Sequence, residues 1–325
     1  MWRALQVTRG DASNRVELVD DLDDDALMPG DVTIDVEYSS INYKDALALT
    51  GRPGIVRAPV LFAGIDLVGT VTDSSSPNWA TGDRVLVNGC GLGETHHGGL
   101  AERARVDAEW LVRVPESMTS AQAAAIGTAG FTAMLAVLEL ERDGASGDIL
   151  VTGASGGVGS IAVALLARLG YTVTASTGKP EEHDRLRALG AATIIDRGEL
   201  SEPGKPLQSE RWGGVVETVG GQTLTTVLAQ ARYGATVAAC GNAAAAEFTS
   251  SVYPFILRGV RLAGINSVLT PRPLRLRAWE RLATDLPLNL LDAMTEIVPL
   301  DGAIAEAERI VSGGGRGRTV VDVRG

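Results

Sequence analysis

The chain has 325 residues, more than one ordinary hydrophobic core serves, so two domains are expected. Apolar residues make up 45% and charged residues 21%, a balance that argues for packed domains and against disorder. With 29 basic against 40 acidic side chains the formal charge is −11, which repels an extended nucleic-acid backbone and removes nucleic acid from the expected partners.

Two cysteines, Cys90 and Cys240, build neither a disulfide framework nor a four-sulfur metal site, and the simplest setting is reducing and cytoplasmic. Residues 1–7 lack the apolar run of a signal peptide and read as a first strand. Up to about Pro115 the signals are those of strands, at residues 32–38, 68–72, 84–87 and 110–114, divided by Gly, Pro and Asp turns. The apolar stretch 121–140 is interrupted by Gln122, Gly127, Gly130 and Glu139, so two buried helical pieces with a kink are expected rather than a membrane span. Strands and helices then alternate: strands at 149–152, 172–175, 193–195, 215–219 and 236–239, helices at 158–169, 185–189 and 224–231. Crossovers of that length imply a parallel sheet covered on both faces. Helices at 274–286 and 303–311 and a strand at 319–323 complete the chain, and they are expected to return to the first domain. The expected fold class is α/β, a Rossmann doubly wound parallel sheet over residues 119–265 beside a discontinuous, mostly β substrate domain over 1–118 and 266–325.

The strongest chemical signal spans residues 148–160, where Gly153, Gly156 and Gly159 leave a strand and open an apolar helix. Glycines at that spacing permit a tight turn, close backbone approach to a pyrophosphate and close helix–strand packing, and the helix start offers N–H groups. At the end of the next strand an acid would hold a free ribose diol, but the sequence there is Ser176-Thr177-Gly178-Lys179. Two hydroxyls, a glycine and an ammonium suit a 2′-phosphate, so NADP(H) is expected over NAD(H). Cys240 has no histidine near it in sequence and reads as a small buried hydrophobe.

Residues 39–51, the segment 126–135, the glycine loop, and the segments 254–262 and 267–271 together resemble the zinc-free medium-chain reductases, nearest the bacterial acrylyl-CoA reductases. The resemblance covers essentially the whole chain. It implies a GroES-like substrate domain, a Rossmann domain, a cleft between them, NADPH-dependent reduction of a conjugated double bond, and a homodimer. Zinc-dependent relatives carry Gly-His-Glu where this chain has Gly64-Ile65-Asp66, so no metal is expected. His96 and His97, adjacent and therefore divergent, are expected in a cleft-lining loop or a solvated turn.

Without a metal, hydrogen bonds to the developing enolate must carry the reaction. The resemblance puts Tyr43 beside the nicotinamide, as donor to cofactor or substrate carbonyl, with Asn42 orienting the same oxygen. The plain structural alternative is that Asn42 caps a helix and Tyr43 packs. By matching positions, Ser155, Gly156, Gly157 and Val158 hold the pyrophosphate, and Ser176, Thr177, Gly178 and Lys179 the 2′-phosphate. Arg197 stacks on adenine or adds charge, and Thr128, Asn242, Ile256 and Ser267 complete the cofactor contacts. Arg272, Arg275, Arg277 and Arg281 cluster after Pro271 and could meet the phosphates of an enoyl-CoA substrate, or simply form a solvated helix face. NADPH:quinone oxidoreduction is the alternative activity, and non-catalytic NADPH binding the third.

Overall fold

The protein, seen in a computed structural model that describes residues 1–325, opens with β1 (Trp2–Thr8), β2 (Arg15–Leu22), β3 (Val32–Ile41), α1 (Tyr43–Leu49), β4 (Val60–Phe62), β5 (Asp66–Ser74), β6 (Arg84–Asn88), β7 (Arg103–Val106) and β8 (Val112–Arg113). Next come α2 (Ser120–Arg142), β9 (Asp148–Val151), α3 (Gly157–Arg168), β10 (Thr172–Thr177), α4 (His183–Ala188), β11 (Thr193–Asp196), β12 (Trp212–Glu217), α5 (Gly221–Gln230) and β13 (Ala231–Ala239). The chain continues with α6 (Tyr253–Arg258), β14 (Arg261–Gly264), α7 (Arg272–Asp285), α8 (Leu288–Ala293), β15 (Thr295–Pro299), α9 (Ala303–Arg309) and β16 (Arg318–Asp322).

These elements form two units. The first comprises residues 1–128, 267–283 and 291–325, the second 129–266 and 284–290. The sequence places the break after residue 118; the chain leaves the first unit only at Thr128, whose main chain is tied to Asp66 of β5. Within the first unit a seven-stranded sheet runs β15-β16-β3-β5-β6-β8, with β7 also on β3. Its core gathers Ile34, Val36, Leu67, Val85 and Val87 with Leu300, Ala303, Val321 and Val323 from the returning segment. Two registers in this sheet bring polar side chains together: Asp66 pairs with Asn88, and Thr319 pairs with Ile41, which carries Arg318 of β16 to the end of β3.

The strand expected at 110–114 is corrected. Asp107 accepts the Glu109 N–H at 2.8 Å and holds 108–110 as a 3-10 turn, leaving only Val112 and Arg113 in the ladder. The kink expected within 121–140 falls at Gly127, which has φ +48° inside α2 and where a Cβ would lie 2.6 Å from Asp66 Oδ2 and 2.7 Å from Ser40 Oγ. By length and composition α2 alone could cross a membrane, yet 89% of its apolar window is buried inside the protein.

In the second unit six parallel strands run β11-β10-β9-β12-β13-β14. The order reverses between β9 and β12, the point at which such sheets bind ligands outside the strand ends. β14 is an edge strand, paired only with β13.

Candidate active site

In the second unit, β9 ends in the glycine loop. Gly153 has φ +57°, which other residues rarely adopt, and a Cβ on Gly159 would come 2.7 Å from Ala154 Cα. A Cβ on Gly156 would meet only Gly153 O, at 3.3 Å, so the loop's outer side is open. No side chain caps α3, and its first-turn N–H groups remain available to an anion.

The loop is laced to the end of β10. Ala154 N donates to Ser176 O at 3.1 Å, and Thr177 Oγ1 donates to Ser155 Oγ at 3.2 Å while accepting from Lys179 N. Ser176 and Thr177 are 2% and 3% exposed. The expected hydroxyl contacts to a 2′-phosphate therefore need correction: the Thr177 hydroxyl is spent on Ser155, and both side chains are buried. The groups suited to a phosphate are Gly178, Lys179 and Arg197, because the exposed Arg197 lies across Gly178, where a Cβ would meet its Cδ at 2.6 Å.

Sequence reasoning singled out neither of two further residues here. Arg185 donates to Ser155 O at 3.0 Å and pairs with the buried Glu182, bracing the loop. Glu217, fully buried at the end of β12, accepts from Val219 N at 2.8 Å, Gly220 N at 3.0 Å and Thr152 Oγ1 at 3.2 Å. Burial raises its pKa and those hydrogen bonds oppose the rise. A charged residue ending an apolar parallel strand was the available clue. Cys240 is pushed up to about 12 by burial and then by Glu217, which removes it as a thiolate nucleophile. Asn242 is exposed, its Cα packed 3.4 Å from where a Gly220 Cβ would stand, and Ile256 on α6 is 69% exposed.

In the first unit, Tyr43 is the first residue of α1 and 48% exposed. Asn42 behind it is used differently from expectation. Its Nδ2 donates to Asp66 Oδ2 at 2.7 Å and to Asp45 Oδ2 at 3.0 Å, and its Oδ1 accepts from Arg318 Nη1 at 3.3 Å. Both amide hydrogens are thus spent, so Asn42 has none to offer a substrate oxygen, and its role becomes that of holding the start of α1.

Asp66 is the hub of a buried polar cluster. Five donors reach it: Ser40 Oγ, Asn42 Nδ2, Asn88 Nδ2, and the N–H and hydroxyl of Thr128 at 2.6 to 3.0 Å. Thr128, expected at the cofactor, spends its hydroxyl hydrogen here. Arg318, 3% exposed, donates Nε to Ala125 O at 2.6 Å and Nη2 to Ser40 Oγ at 2.9 Å. Burial lowers its pKa, and Asp66 and Asp45 counter that.

The arginine cluster divides. Arg275 is buried and donates to Asn88 O, Ser267 O and Val268 O, fixing the Ser267 loop. Arg272 donates to Glu109 O and Leu111 O. Neither is a phosphate ligand in waiting, whereas Arg277 is exposed. His97 is also corrected, because it stacks on Phe62 at 4.0 Å and is 9% exposed, neither cleft-lining nor solvated.

Two family models match: an alcohol dehydrogenase GroES-like domain over residues 28–116 and a zinc-binding dehydrogenase over 157–283. That pairing is the architecture of the medium-chain dehydrogenases/reductases. The chain is 48% identical over 328 residues to an acrylyl-CoA reductase of Ruegeria pomeroyi, covering 99% of each. It is 48% identical over 308 residues to a protein of Escherichia coli described as a probable acrylyl-CoA reductase, covering 94% of this chain and 95% of that one. The crystal structure of the yhdH oxidoreductase of Salmonella enterica in complex with NADP superposes with a TM-score of 0.96 at 46% identity, covering 99% of both chains. The chain belongs to the zinc-free branch of the medium-chain dehydrogenases/reductases, with the bacterial acrylyl-CoA reductases. One of the matching models is named for zinc, but Ile65 offers no ligand atom here and both Asp66 oxygens are taken by donors.

Proposed function

We propose that this protein reduces the conjugated C=C bond of acrylyl-CoA to give propionyl-CoA, using NADPH and no zinc. The observation that carries the reading is the 48% identity across 99% of both chains to an acrylyl-CoA reductase. The glycine loop fits the cofactor: its outer side is open at Gly156, and the first-turn N–H groups of α3 suit a pyrophosphate. NADPH, when bound there, would supply the hydride for the β-carbon and leave as NADP+, and a proton from Tyr43 or water would complete the α-carbon. Ser155, Gly156, Gly157 and Val158 hold the pyrophosphate, and Lys179 and Arg197 neutralise the 2′-phosphate. Gly178 leaves room for that phosphate beside Arg197, while the buried Ser176 and Thr177 shape the turn. Main-chain groups at Asn242 and Ser267, with the side chain of Ile256, line the nicotinamide. Tyr43 donates its hydroxyl hydrogen to the thioester oxygen, where negative charge gathers, and Asn42 keeps Tyr43 in place.

The protein acts as a homodimer. Support comes from the open outer edge of β14, with Leu262 on that strand 36% exposed and Leu257 on α6 58% exposed. Two free cysteines suit a cytoplasmic enzyme.

The test follows nicotinamide absorbance with acrylyl-CoA, crotonyl-CoA and a benzoquinone side by side. Acrylyl-CoA is expected to be turned over fastest, and Tyr43→Phe is expected to lower kcat by about 10- to 100-fold. Consumption with the quinone alone would overturn the reading in favour of quinone reduction, and none with any substrate would leave an NADPH-binding protein without this activity. Lys179→Ala is expected to raise KM for NADPH about tenfold, the worth of one charge-assisted contact, with KM for NADH unchanged. Equal effects on both cofactors would remove Lys179 from the 2′-phosphate.

A further inference from the structure

Asp45 touches none of the groups that hold cofactor or substrate in the proposed reaction, yet it is 1% exposed and ionisable. An acid at the third position of a helix commonly bonds back to the residue before the helix, at the surface and in water. Here the same residue is sealed in the first unit and bonded on both oxygens. Its Oδ2 accepts from Asn42 N at 2.8 Å and from Asn42 Nδ2 at 3.0 Å, and its Oδ1 accepts from Ile65 N at 2.8 Å. The first two bonds fix the residue that immediately precedes Tyr43. The third ties the start of α1 to the main chain that leads into Asp66.

We propose that Asp45 is the positioning residue for Tyr43: its carboxylate locks the first turn of α1 onto the segment leading into β5 and so sets the direction of the Tyr43 hydroxyl. The inference rests on the proposed catalytic role of Tyr43. All three partners of Asp45 are N–H donors, so the ionised carboxylate binds them most strongly. A proton on either oxygen adds a donor that none of the three can accept and weakens the charge-assisted bonds that hold the turn.

The charge balance makes that proton available near neutrality. Burial, and then the charge of Asp66, push Asp45 up to about 7, against the pull of its hydrogen bonds. Among charged groups on elements packed against α1, Asp66 of β5 and Arg318 of β16 act on Asp45. Glu306 and Arg309 of α9 pair with each other, and Lys44 of α1 pairs with Glu94. As pH falls through this range Asp45 takes up a proton, the turn loosens, and the fraction of enzyme with Tyr43 aimed correctly falls.

The experiment has two arms. In the first, kcat for acrylyl-CoA is measured from about pH 6 to about pH 8 in the wild type, Asp45→Asn and Asp45→Glu. The wild type is expected to lose rate on the acid side. Asp45→Asn, permanently uncharged, is expected to lose about 10- to 100-fold in kcat with a smaller change in KM for NADPH, and to lose the acid limb. Asp45→Glu is expected to recover part of that limb. The second arm needs no activity and no variant: in the wild-type protein the carboxyl carbon of Asp45, the amides of Asn42 and Ile65 and the ring of Tyr43 are titrated together by NMR. A shared midpoint is expected. A pH profile of the same shape in wild type and Asp45→Asn would overturn the proposal, as would a Tyr43 ring indifferent to the titration of Asp45. Should the wild type lack reductase activity, the functional reading fails, and the NMR titration still decides whether Asp45 governs Tyr43.

Discussion

Arg318→Leu is expected to destabilise the protein by about 3–5 kcal/mol, the usual cost of leaving a buried ion without its partner. The residue is 3% exposed and is the cation that acts on both buried carboxylates, Asp45 and Asp66. Leucine would fill part of the volume. It would also leave Ala125 O, Ser40 Oγ and Asn42 Oδ1 without the guanidinium that now donates to each. Arg318→Lys keeps the charge, but a single ammonium cannot reproduce the planar fork that reaches three acceptors, so an intermediate loss is expected. The loss in Arg318→Leu should be larger at alkaline than at mildly acidic pH, because Asp45 can discharge itself by taking up a proton. Urea unfolding at both pH values checks this, and a loss below about 1 kcal/mol at alkaline pH would show that the cluster does not depend on its cation.

Acid is expected to remove about 3 kcal/mol of stability through His97 alone. Phe62 N donates to its Nδ1 at 3.2 Å, so Nε2 carries the hydrogen and donates to Ala26 O at 3.1 Å. Protonation would turn Nδ1 into a donor facing another donor. Burial, the largest cause, lowers the His97 pKa from 6.5 to about 4. A folded-state value below the unfolded one means that the unfolded chain binds more protons between the two. The contribution of His97 is therefore complete above pH 6.5 and lost as pH falls through about 4. Asp45 works in the opposite sense: its folded value of about 7 lies above 3.8, so its contribution is present in acid and declines as pH rises from 3.8 to about 7. The two oppose each other in the wild type, and only a variant separates them. His97→Phe keeps the stack on Phe62, loses two hydrogen bonds at a cost that does not vary with pH, and should narrow its stability gap from wild type on acidification. Parallel stability curves for the two proteins would refute the assignment.

Local physics made much of the second unit legible in advance. The turn at Gly153, the helix after it and the alternation of strands each depend on residues close together in the chain, as does the break at Gly127. Contacts between distant residues were not legible. Asn42 and Thr128 carried a donor's chemistry in the sequence, but nothing there told that Asp66 would consume it, since the partners of Asp66 come from β3, the start of α1, α2 and β6. Ser176 and Thr177 read as phosphate ligands because hydroxyls suit phosphate, and only their burial, with the Thr177 hydroxyl bonded to Ser155, speaks against that role. Arg275 looked like one member of a basic helix face until the returning segment placed it against Asn88.

The position of β16 has a consequence for biosynthesis. Arg318 reaches the cluster from 276 residues beyond Asn42. A ribosome making about 5–20 residues per second would need roughly 15 to 60 s to cover that distance. Over that interval Asp45 and Asp66 have been made but lack their cation, and the core of the first unit lacks Val321 and Val323. The parallel-sheet unit, whose strands β9 to β14 are all synthesised before β16 emerges, can meanwhile complete its sheet. The nascent chain should therefore acquire its nucleotide-binding half first and the half bearing Tyr43 last.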